Sequence, residues 1–200
     1  NTGQTCISAN RIFVQDAIHD EFVAKLAEKV QQLRVGNGLD EGVQLGPLIT
    51  PEALAKVEQH VADAVRKGAR VIIGGEAHKL GRTFYEPTIL TGVDDKMDIA
   101  REETFGPVAA IYRFTGEEEV VSLANSTEYG LASYFYARDL RRVIRVAEAL
   151  ECGMVGVNTA LLGVDVAPFG GVKQSGIGRE GSHHGIDEFL QLKYVLLAGI

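Results

Sequence analysis

The chain has 200 residues, of which 20 are Lys or Arg and 27 are Asp or Glu, so its formal net charge is −7. A hydrophobic content of 46% supplies enough apolar surface to exclude intrinsic disorder. The acidic balance argues against nucleic acid as a partner, because such binding needs a concentrated basic face. No apolar run approaches the roughly 20 residues that cross a bilayer. Two cysteines form no disulfide framework, so we expect a reducing, cytoplasmic compartment.

Two amphipathic helices are predicted in the first half of the chain. Asp16 is the predicted N-cap of the first helix, which the glycines within 36–38 would end. Thr50 and Pro51 are the N-cap and first-turn signals of the second. The apolar faces would carry Phe22, Leu26, Val30 and Leu33 in the first helix, and Leu54, Val57, Val61 and Val65 in the second.

Short β-branched and aromatic runs predict the strands, with helices between them. The predicted strands are 70–73, 84–90, 108–114, 133–137 and 154–157, and the helices are 117–125 and 140–150, the latter capped by Asp139. This alternation indicates an α/β fold with a mainly parallel sheet flanked by helices. A last run, 192–198, is predicted to be a strand with an exposed edge, which we expect to pair with a neighbour.

Two tempting motifs are better explained without a ligand. The segment GIGREG at 176–181 matches a dinucleotide fingerprint literally, but no strand is predicted before it and Gly185 interrupts the position where the fingerprint needs a long helix, so we predict a glycine-rich loop. The five histidines show no metal-ligand spacing, and no metal site is predicted.

Cys6 is the candidate nucleophile. A lone cysteine is usually an inert core residue, and Cys152 fits that interpretation. Cys6 instead has small and polar neighbours, among them Gly3 and Ser8. A turn at Gly3 would aim backbone N–H groups towards the sulfur and an oxyanion formed beside it. From the residues alone, a nucleophile and an inert thiol both remain open.

Three ordered segments resemble signatures of the aldehyde dehydrogenase superfamily. GQTCISANR at 3–11 resembles the catalytic-cysteine signature, EETFGPV at 102–108 the second signature, and PFGGVK at 168–173 the substrate-pocket loop. The resemblance covers the whole chain and is closest to the succinate-semialdehyde dehydrogenase branch. Supporting stretches are 134–140, 167–169 and 178–194.

The resemblance implies a catalytic domain over 1–175 and a C-terminal return with an oligomerisation strand over 176–200. Because the first signature begins at once, we expect a longer parent chain. The resemblance places the NAD(P)-binding domain upstream, with the general-base glutamate, an oxyanion-hole asparagine and anion-binding arginines. The 200 residues alone are therefore expected not to catalyse the reaction.

The same resemblance assigns roles to individual residues. Cys6 would attack the aldehyde to form a thiohemiacetal, and hydride transfer to NAD or NADP would leave a thioester that water hydrolyses. Glu103 would hold the nicotinamide ribose hydroxyls, Phe105 would pack beside the nicotinamide, and Lys56 falls where some members contact the ribose. The residues alone leave open a solvated loop charge at Glu103 and an ordinary surface lysine at Lys56.

The substrate pocket is the least determined part of the site. Phe169 matches an aromatic that lines the aldehyde pocket, although it could equally be core. The branch's anion-binding serine position holds Gly163 here, which removes one contact to a substrate carboxylate. Succinate semialdehyde is favoured, with glutarate semialdehyde or another aldehyde as the alternative.

Three classes of function therefore remain possible from the sequence. The first is an NAD(P)-dependent semialdehyde dehydrogenase acting on a small-molecule aldehyde. The second is a divergent member that passes its thioester to another acceptor, and the third is a non-catalytic domain that keeps the fold for assembly. The C-terminal run predicts a homo-oligomer, dimer or tetramer. The choice between NAD and NADP is left open.

Overall fold

The structure, a computed structural model, describes residues 1–199 and divides into two units, one spanning residues 1–123 and the other beginning at residue 124. No helix within residues 1–199 combines the length and the apolar character needed to span a membrane.

A four-stranded sheet forms the centre of the first unit. Its strands are β1 (Arg11–Gln15), β2 (Arg70–Ile73), β3 (Thr88–Thr91) and β4 (Val108–Phe114), in the spatial order β1-β4-β3-β2. Strands β1 and β3 run parallel to β4, whereas β2 pairs antiparallel with β3 at the edge. The mainly parallel sheet that the sequence predicts is therefore present, with one antiparallel edge strand.

Helices cover both faces of this sheet. They are α1 (His19–Val30), preceded by a 3-10 turn at Asp16–Ile18, α2 (Pro51–Arg66) and the short α3 (Asp98–Arg101). Helix α4 (Glu117–Asn125) follows β4 along the chain. Alternate residues of a strand point to opposite faces. Leu90 packs in the apolar cluster that contains α2 and α3 residues, while its neighbour Ile89 packs in the cluster with Val23 of α1.

The second unit contains two small ladders and one long helix. Strand β6 (Ala132–Phe135) pairs parallel with β7 (Met154–Val157), and β5 (Tyr129–Gly130) pairs antiparallel with β8 (Val172–Lys173). Helix α5 (Leu140–Ala149) begins as predicted, since the Asp139 carboxylate accepts a hydrogen bond from the Arg142 backbone N–H at 2.7 Å. A 3-10 helix, His184–Phe189, follows the glycine-rich segment.

Several local predictions are wrong for identifiable reasons. Asp16 does not cap the first helix, because its carboxylate pairs with Arg113 on β4 at 2.6 Å. That helix ends at Val30, before Leu33. Val65 is 46% exposed instead of buried. The strand predicted at 84–90 begins only at Thr88, directly after Pro87, whose ring nitrogen cannot donate to a ladder.

The strand predicted at 192–198 does not form within the described part of the chain. Residues 191–199 have no regular secondary structure, and their apolar side chains are exposed. A strand exists only when its backbone groups pair with a neighbouring strand, and this segment has none in residues 1–199. Its proposed role in oligomerisation stays a prediction, as does the functional boundary after residue 175.

Candidate active site

Cys6 lies on an exposed turn at the start of the first unit. The backbone N–H of Ser8 donates to the Thr5 carbonyl at 2.9 Å and closes this turn around the cysteine. Within residues 1–199 the Cys6 N–H forms no hydrogen bond. An exposed thiol with a free N–H beside it can attack a carbonyl carbon and donate to the oxyanion that results.

A preceding turn fixes where the cysteine sits. The Gln4 N–H donates to the Asn1 carbonyl at 2.9 Å, and the two residues between them have left-handed backbone angles, φ +57° at Thr2 and φ +71° at Gly3. The buried Thr2 hydroxyl donates to the Gly46 carbonyl at 3.1 Å. The Gln4 side chain accepts from the Ile49 N–H at 2.8 Å. The thiol is therefore carried on a backbone anchored to the loop that precedes α2.

The segment 102–106 lies against the cysteine turn. A Cβ atom built on Gly3 would lie 2.0 Å from the Gly106 carbonyl oxygen, so the two backbones touch. A narrow cleft is formed here, lined by Gly3, Ser8, Ala9, Asn10, Glu103, Phe105, Gly106 and Val108.

Glu103 and Phe105 both face solvent at this cleft. Glu103 is exposed, and Phe105 is 38% exposed with a left-handed φ of +54°, which costs a bulky residue free energy. Strained backbone of this kind is concentrated at functional sites. An exposed carboxylate can accept two hydrogen bonds from neighbouring hydroxyl groups, and an exposed ring can pack on a flat heterocycle.

Thr104, between these two exposed residues, is buried and held from two sides. Its backbone N–H donates to the Asn10 side-chain oxygen at 3.0 Å, and Asn10 in turn donates to the Ile99 carbonyl at 3.1 Å. Its hydroxyl lies 3.1 Å from Nδ1 of His60 on α2. Asn10 and His60 had no predicted role.

His60 is only 1% exposed and its Nε2 lies 3.5 Å from the Glu102 carboxylate. Burial lowers the pKa of His60 below its ordinary value of 6.5, the Glu102 carboxylate opposes this shift, and the charge on Lys56 adds to it. The ring is therefore neutral at pH 7. One sequence signal could have found it, since His60 interrupts the apolar face that Val57 and Val61 share.

Lys56 stands one helical turn before His60 on α2. Its side chain is exposed, and the next residue along the helix, Val57, packs against Gly106 of the cleft. The structure therefore places four predicted site residues in one unit. Cys6, Glu103 and Phe105 lie on neighbouring loops, and Lys56 lies on α2.

Phe169 and Gly163 belong to the second unit. Phe169 is half-buried, and its backbone exchanges hydrogen bonds with Glu180 at 2.8 and 2.9 Å. Gly163 is exposed, and a Cβ added there would have no atom within 4 Å. The glycine-rich segment 176–181 forms the loop that the sequence predicts. Its pairing with Phe169 through Glu180 was not predicted. Within residues 1–199 no group of three His, Cys, Asp or Glu side chains is arranged to hold a metal ion.

Comparison with protein-family profiles matches residues 1–195 to the aldehyde dehydrogenase family. Over its full length the chain is 59% identical to a 3-sulfolactaldehyde dehydrogenase of Pseudomonas putida and 58% identical to a glutarate-semialdehyde dehydrogenase of Pseudomonas aeruginosa, covering 41% of each. It is 55% identical over 98% of its length to the NADP(+) succinate-semialdehyde dehydrogenase of Escherichia coli, again covering 41% of that protein.

Solved structures of aldehyde dehydrogenases match the chain as well. The chain matches the crystal structure of succinate-semialdehyde dehydrogenase from Burkholderia pseudomallei with a TM-score of 0.93 and 60% identity, over 94% of this chain and 39% of that one. It also matches betaine aldehyde dehydrogenase from Staphylococcus aureus in complex with NAD+, with a TM-score of 0.88 and 38% identity, over 94% of this chain and 38% of the other. The chain thus spans about 40% of the length of the proteins it matches.

Proposed function

The chain belongs to the aldehyde dehydrogenase family, and on that premise we propose that the complete protein oxidises an aldehyde to a carboxylic acid with Cys6 as its nucleophile. The observation that carries this proposal is the contact between Gly3 and Gly106. Through it the turn that exposes a thiol lies against the segment that exposes Glu103 and Phe105.

Cys6 performs the covalent part of the proposed reaction. Its thiolate attacks the aldehyde carbon, the C–S bond forms, and the carbonyl π electrons move to oxygen, where the Cys6 N–H donates to the oxyanion. Loss of hydride from the same carbon converts the thiohemiacetal into a thioester. Attack by water then breaks the C–S bond, releases the acid and regenerates the thiolate.

The residues of the cleft fit an oxidised nicotinamide dinucleotide, NAD or NADP, which when bound supplies the hydride acceptor. Glu103 would accept hydrogen bonds from the two ribose hydroxyls, and Phe105 would pack beside the nicotinamide ring. Lys56 would contact the same ribose from α2. The fit rests on chemistry seen in this chain: both Glu103 and Phe105 are exposed at the cleft, and the Phe105 backbone is held in a disfavoured conformation.

We propose an aldehyde that carries an anionic group at its far end as the substrate, with succinate semialdehyde favoured. The three relatives are named for succinate semialdehyde, glutarate semialdehyde and 3-sulfolactaldehyde, and each of these bears a carboxylate or sulfonate. Phe169 would line the aldehyde pocket. Gly163 supplies no side-chain hydrogen bond to the anion, which keeps glutarate semialdehyde as the alternative.

The further proposals follow the family pattern. The catalytic region would span residues 1–175, and residues 176–200 would return to an oligomer interface through the exposed apolar run at 192–198. A cytoplasmic homo-oligomer, dimer or tetramer, is expected.

The test is an aldehyde panel on the complete protein that carries this chain, with NAD and NADP. The panel contains succinate semialdehyde, glutarate semialdehyde and an uncharged aldehyde of similar length. Cys6→Ala should lower kcat by about 10⁴-fold or more while leaving dinucleotide binding unchanged, because only the nucleophile is lost. Full activity in Cys6→Ala would refute the nucleophile, and preference for the uncharged aldehyde would refute the anionic substrate.

Glu103→Gln tests the cofactor cleft. We expect the KM for the dinucleotide to rise by about tenfold, since an amide accepts only through one oxygen and carries no charge. The matched control is Glu28→Gln, which removes an exposed carboxylate from α1. Lys56→Gln has its own matched control, Lys29→Gln, which removes an exposed lysine from α1. Equal effects of Glu103→Gln and Glu28→Gln would contradict the assignment of Glu103.

A further inference from the structure

We propose that His60 and Asn10 are positioning residues, which hold Thr104 so that Glu103 and Phe105 present themselves to the dinucleotide. The inference rests on the proposed function of that cleft. The hydrogen bonds of these two side chains include those to Thr104 and Ile99, and within residues 1–199 none of them goes to the Cys6 thiol.

Thr104 is the only buried residue of the three, and it therefore determines where the other two lie. It is 3% exposed, whereas Glu103 is exposed and Phe105 is 38% exposed. Glu103 and Phe105 are the two residues bonded directly to Thr104, so their backbones can move only as far as the backbone of Thr104 allows. With Thr104 held in the interior, its two exposed neighbours line the cleft.

Asn10 fixes the backbone of Thr104. Its side-chain oxygen accepts the Thr104 N–H at 3.0 Å, and its Nδ2 donates to the Ile99 carbonyl at 3.1 Å. Asn10 lies four residues after Cys6 and directly before β1. One amide therefore ties the cleft segment both to the strand that follows the cysteine turn and to α3.

His60 fixes the side chain of Thr104, and the chemistry of its neighbours determines its tautomer. A carboxylate can only accept, so the single proton of the neutral ring belongs on Nε2, which lies 3.5 Å from the Glu102 carboxylate. Nδ1 is then an acceptor, and the Thr104 hydroxyl donates to it at 3.1 Å. The ring is 1% exposed, so no water replaces this bond when the hydroxyl is removed.

These hydrogen bonds are needed because the backbone of Phe105 has a disfavoured conformation. A left-handed φ of +54° is disfavoured for an aromatic residue and persists only when the surroundings enforce it. Thr104 is held at its backbone by Asn10 and at its hydroxyl by His60, while Gly106 on the other side abuts Gly3. Loosening Thr104 should let Phe105 relax and withdraw the aromatic face from the cleft.

The experiment compares matched pairs in the complete protein and reads the Kd for NADH and NADPH by the fluorescence of the reduced nicotinamide. Thr104→Val removes the hydroxyl at constant shape, and Thr104→Ser retains it. His60→Gln places its amide at the Nε2 position, whereas His60→Asn places its amide at the Nδ1 position, next to Thr104. We expect Thr104→Val and His60→Gln to weaken dinucleotide binding by about tenfold, with Thr104→Ser and His60→Asn within threefold of the wild type.

Further readouts separate positioning from folding. The KM for the aldehyde and the rate of Cys6 alkylation should stay within twofold in every variant that folds, because the cysteine turn has its own anchors. Dinucleotide binding within twofold of the wild type in Thr104→Val and His60→Gln alike would overturn the inference. So would loss of folding in both, which would make the network purely structural. A wild type that binds neither dinucleotide would refute the proposed function itself.

Discussion

Gly3 and Gly106 meet backbone to backbone, at a separation that leaves no room for a Cβ atom on Gly3. A Cβ on Gly3 would lie 2.0 Å from the Gly106 carbonyl oxygen, and one on Gly106 would lie 2.5 Å from a methyl group of Val57. Contact this close is available only to glycine. The pair therefore joins the cysteine turn, the cleft segment and α2 into one site.

Gly3→Ala should damage both folding and activity. The substitution places a Cβ against the Gly106 carbonyl and forces alanine to adopt φ +71°. The left-handed backbone alone costs about 1–3 kcal/mol, so we expect the free energy of unfolding to fall by at least about 2 kcal/mol and kcat/KM to fall with it. Denaturant titration and steady-state kinetics measure the two effects.

Gly38→Ala is the control for this substitution. Gly38 has no atom within 4 Å of an added Cβ and no positive φ. The denaturation midpoint of the Gly38→Ala variant should match that of the wild type or rise slightly, because alanine restricts the unfolded chain. Equal effects of Gly3→Ala and Gly38→Ala would show that the contact with Gly106 contributes nothing.

Local signals in the sequence predict most of the helices and half of the strands. The helix at Glu117–Asn125 and the strands at Arg70–Ile73, Val108–Phe114 and Met154–Val157 have the predicted bounds, since each is delimited by residues that start or stop an element. Strand Arg11–Gln15 is absent from the prediction. Its position beside β4 depends on a partner almost a hundred residues away, which no local pattern reveals.

The residues of the candidate site also fall into those that local motifs predict and those that only long-range contacts reveal. Motif resemblance predicts roles for Cys6, Glu103 and Phe105, because each lies inside a signature segment. It gives no role to His60, which is joined to Thr104 across 44 residues of sequence and only through the folding of α2. Neither could local reasoning give the φ of +54° at Phe105, since that angle is imposed by the contacts on both sides of it.

The two cysteines should differ in reactivity towards iodoacetamide. Cys6 is exposed on its turn, whereas Cys152 is half-buried and its thiol donates to the Met154 carbonyl at 3.2 Å. Because alkylation requires access to the sulfur, we expect Cys6 to be modified about tenfold faster or more. Timed labelling followed by peptide mass spectrometry measures both rates in one sample. Faster labelling of Cys152 would contradict the exposed nucleophile.

Stability should fall as the pH drops below about 6.5, and His60 should cause part of that fall. Burial lowers the pKa of His60 in the folded state below 6.5, so above 6.5 the ring is neutral both folded and unfolded. Below 6.5 the unfolded chain takes up a proton that the folded chain refuses. The stabilisation is thus present above the unfolded pKa and is lost as the pH falls towards and through the folded pKa.

The groups that set this pKa besides burial are Glu102, Lys56 and Asp98, and the charge on Lys56 favours the neutral ring. Melting temperatures of the complete protein at pH 7.5, 6.5 and 5.5 test the prediction. His60→Gln cannot titrate, so its melting temperature should decline less between pH 6.5 and 5.5 than that of the wild type. Parallel profiles for the two proteins would exclude His60 as a source of the pH dependence.

Restoring a hydroxyl at Gly163 should favour substrates with a distal carboxylate. Gly163→Ser fits without a clash, since nothing lies within 4 Å of an added Cβ and the backbone has no positive φ. A hydrogen bond to a charged group is worth about 1.5–3 kcal/mol, so kcat/KM for succinate semialdehyde should rise about tenfold relative to the uncharged aldehyde. Gly116→Ser, at another open glycine, should leave this ratio unchanged. A ratio that is equally unchanged in Gly163→Ser would mean that residue 163 does not face the substrate anion, and that the preference among semialdehydes is determined elsewhere in the complete protein.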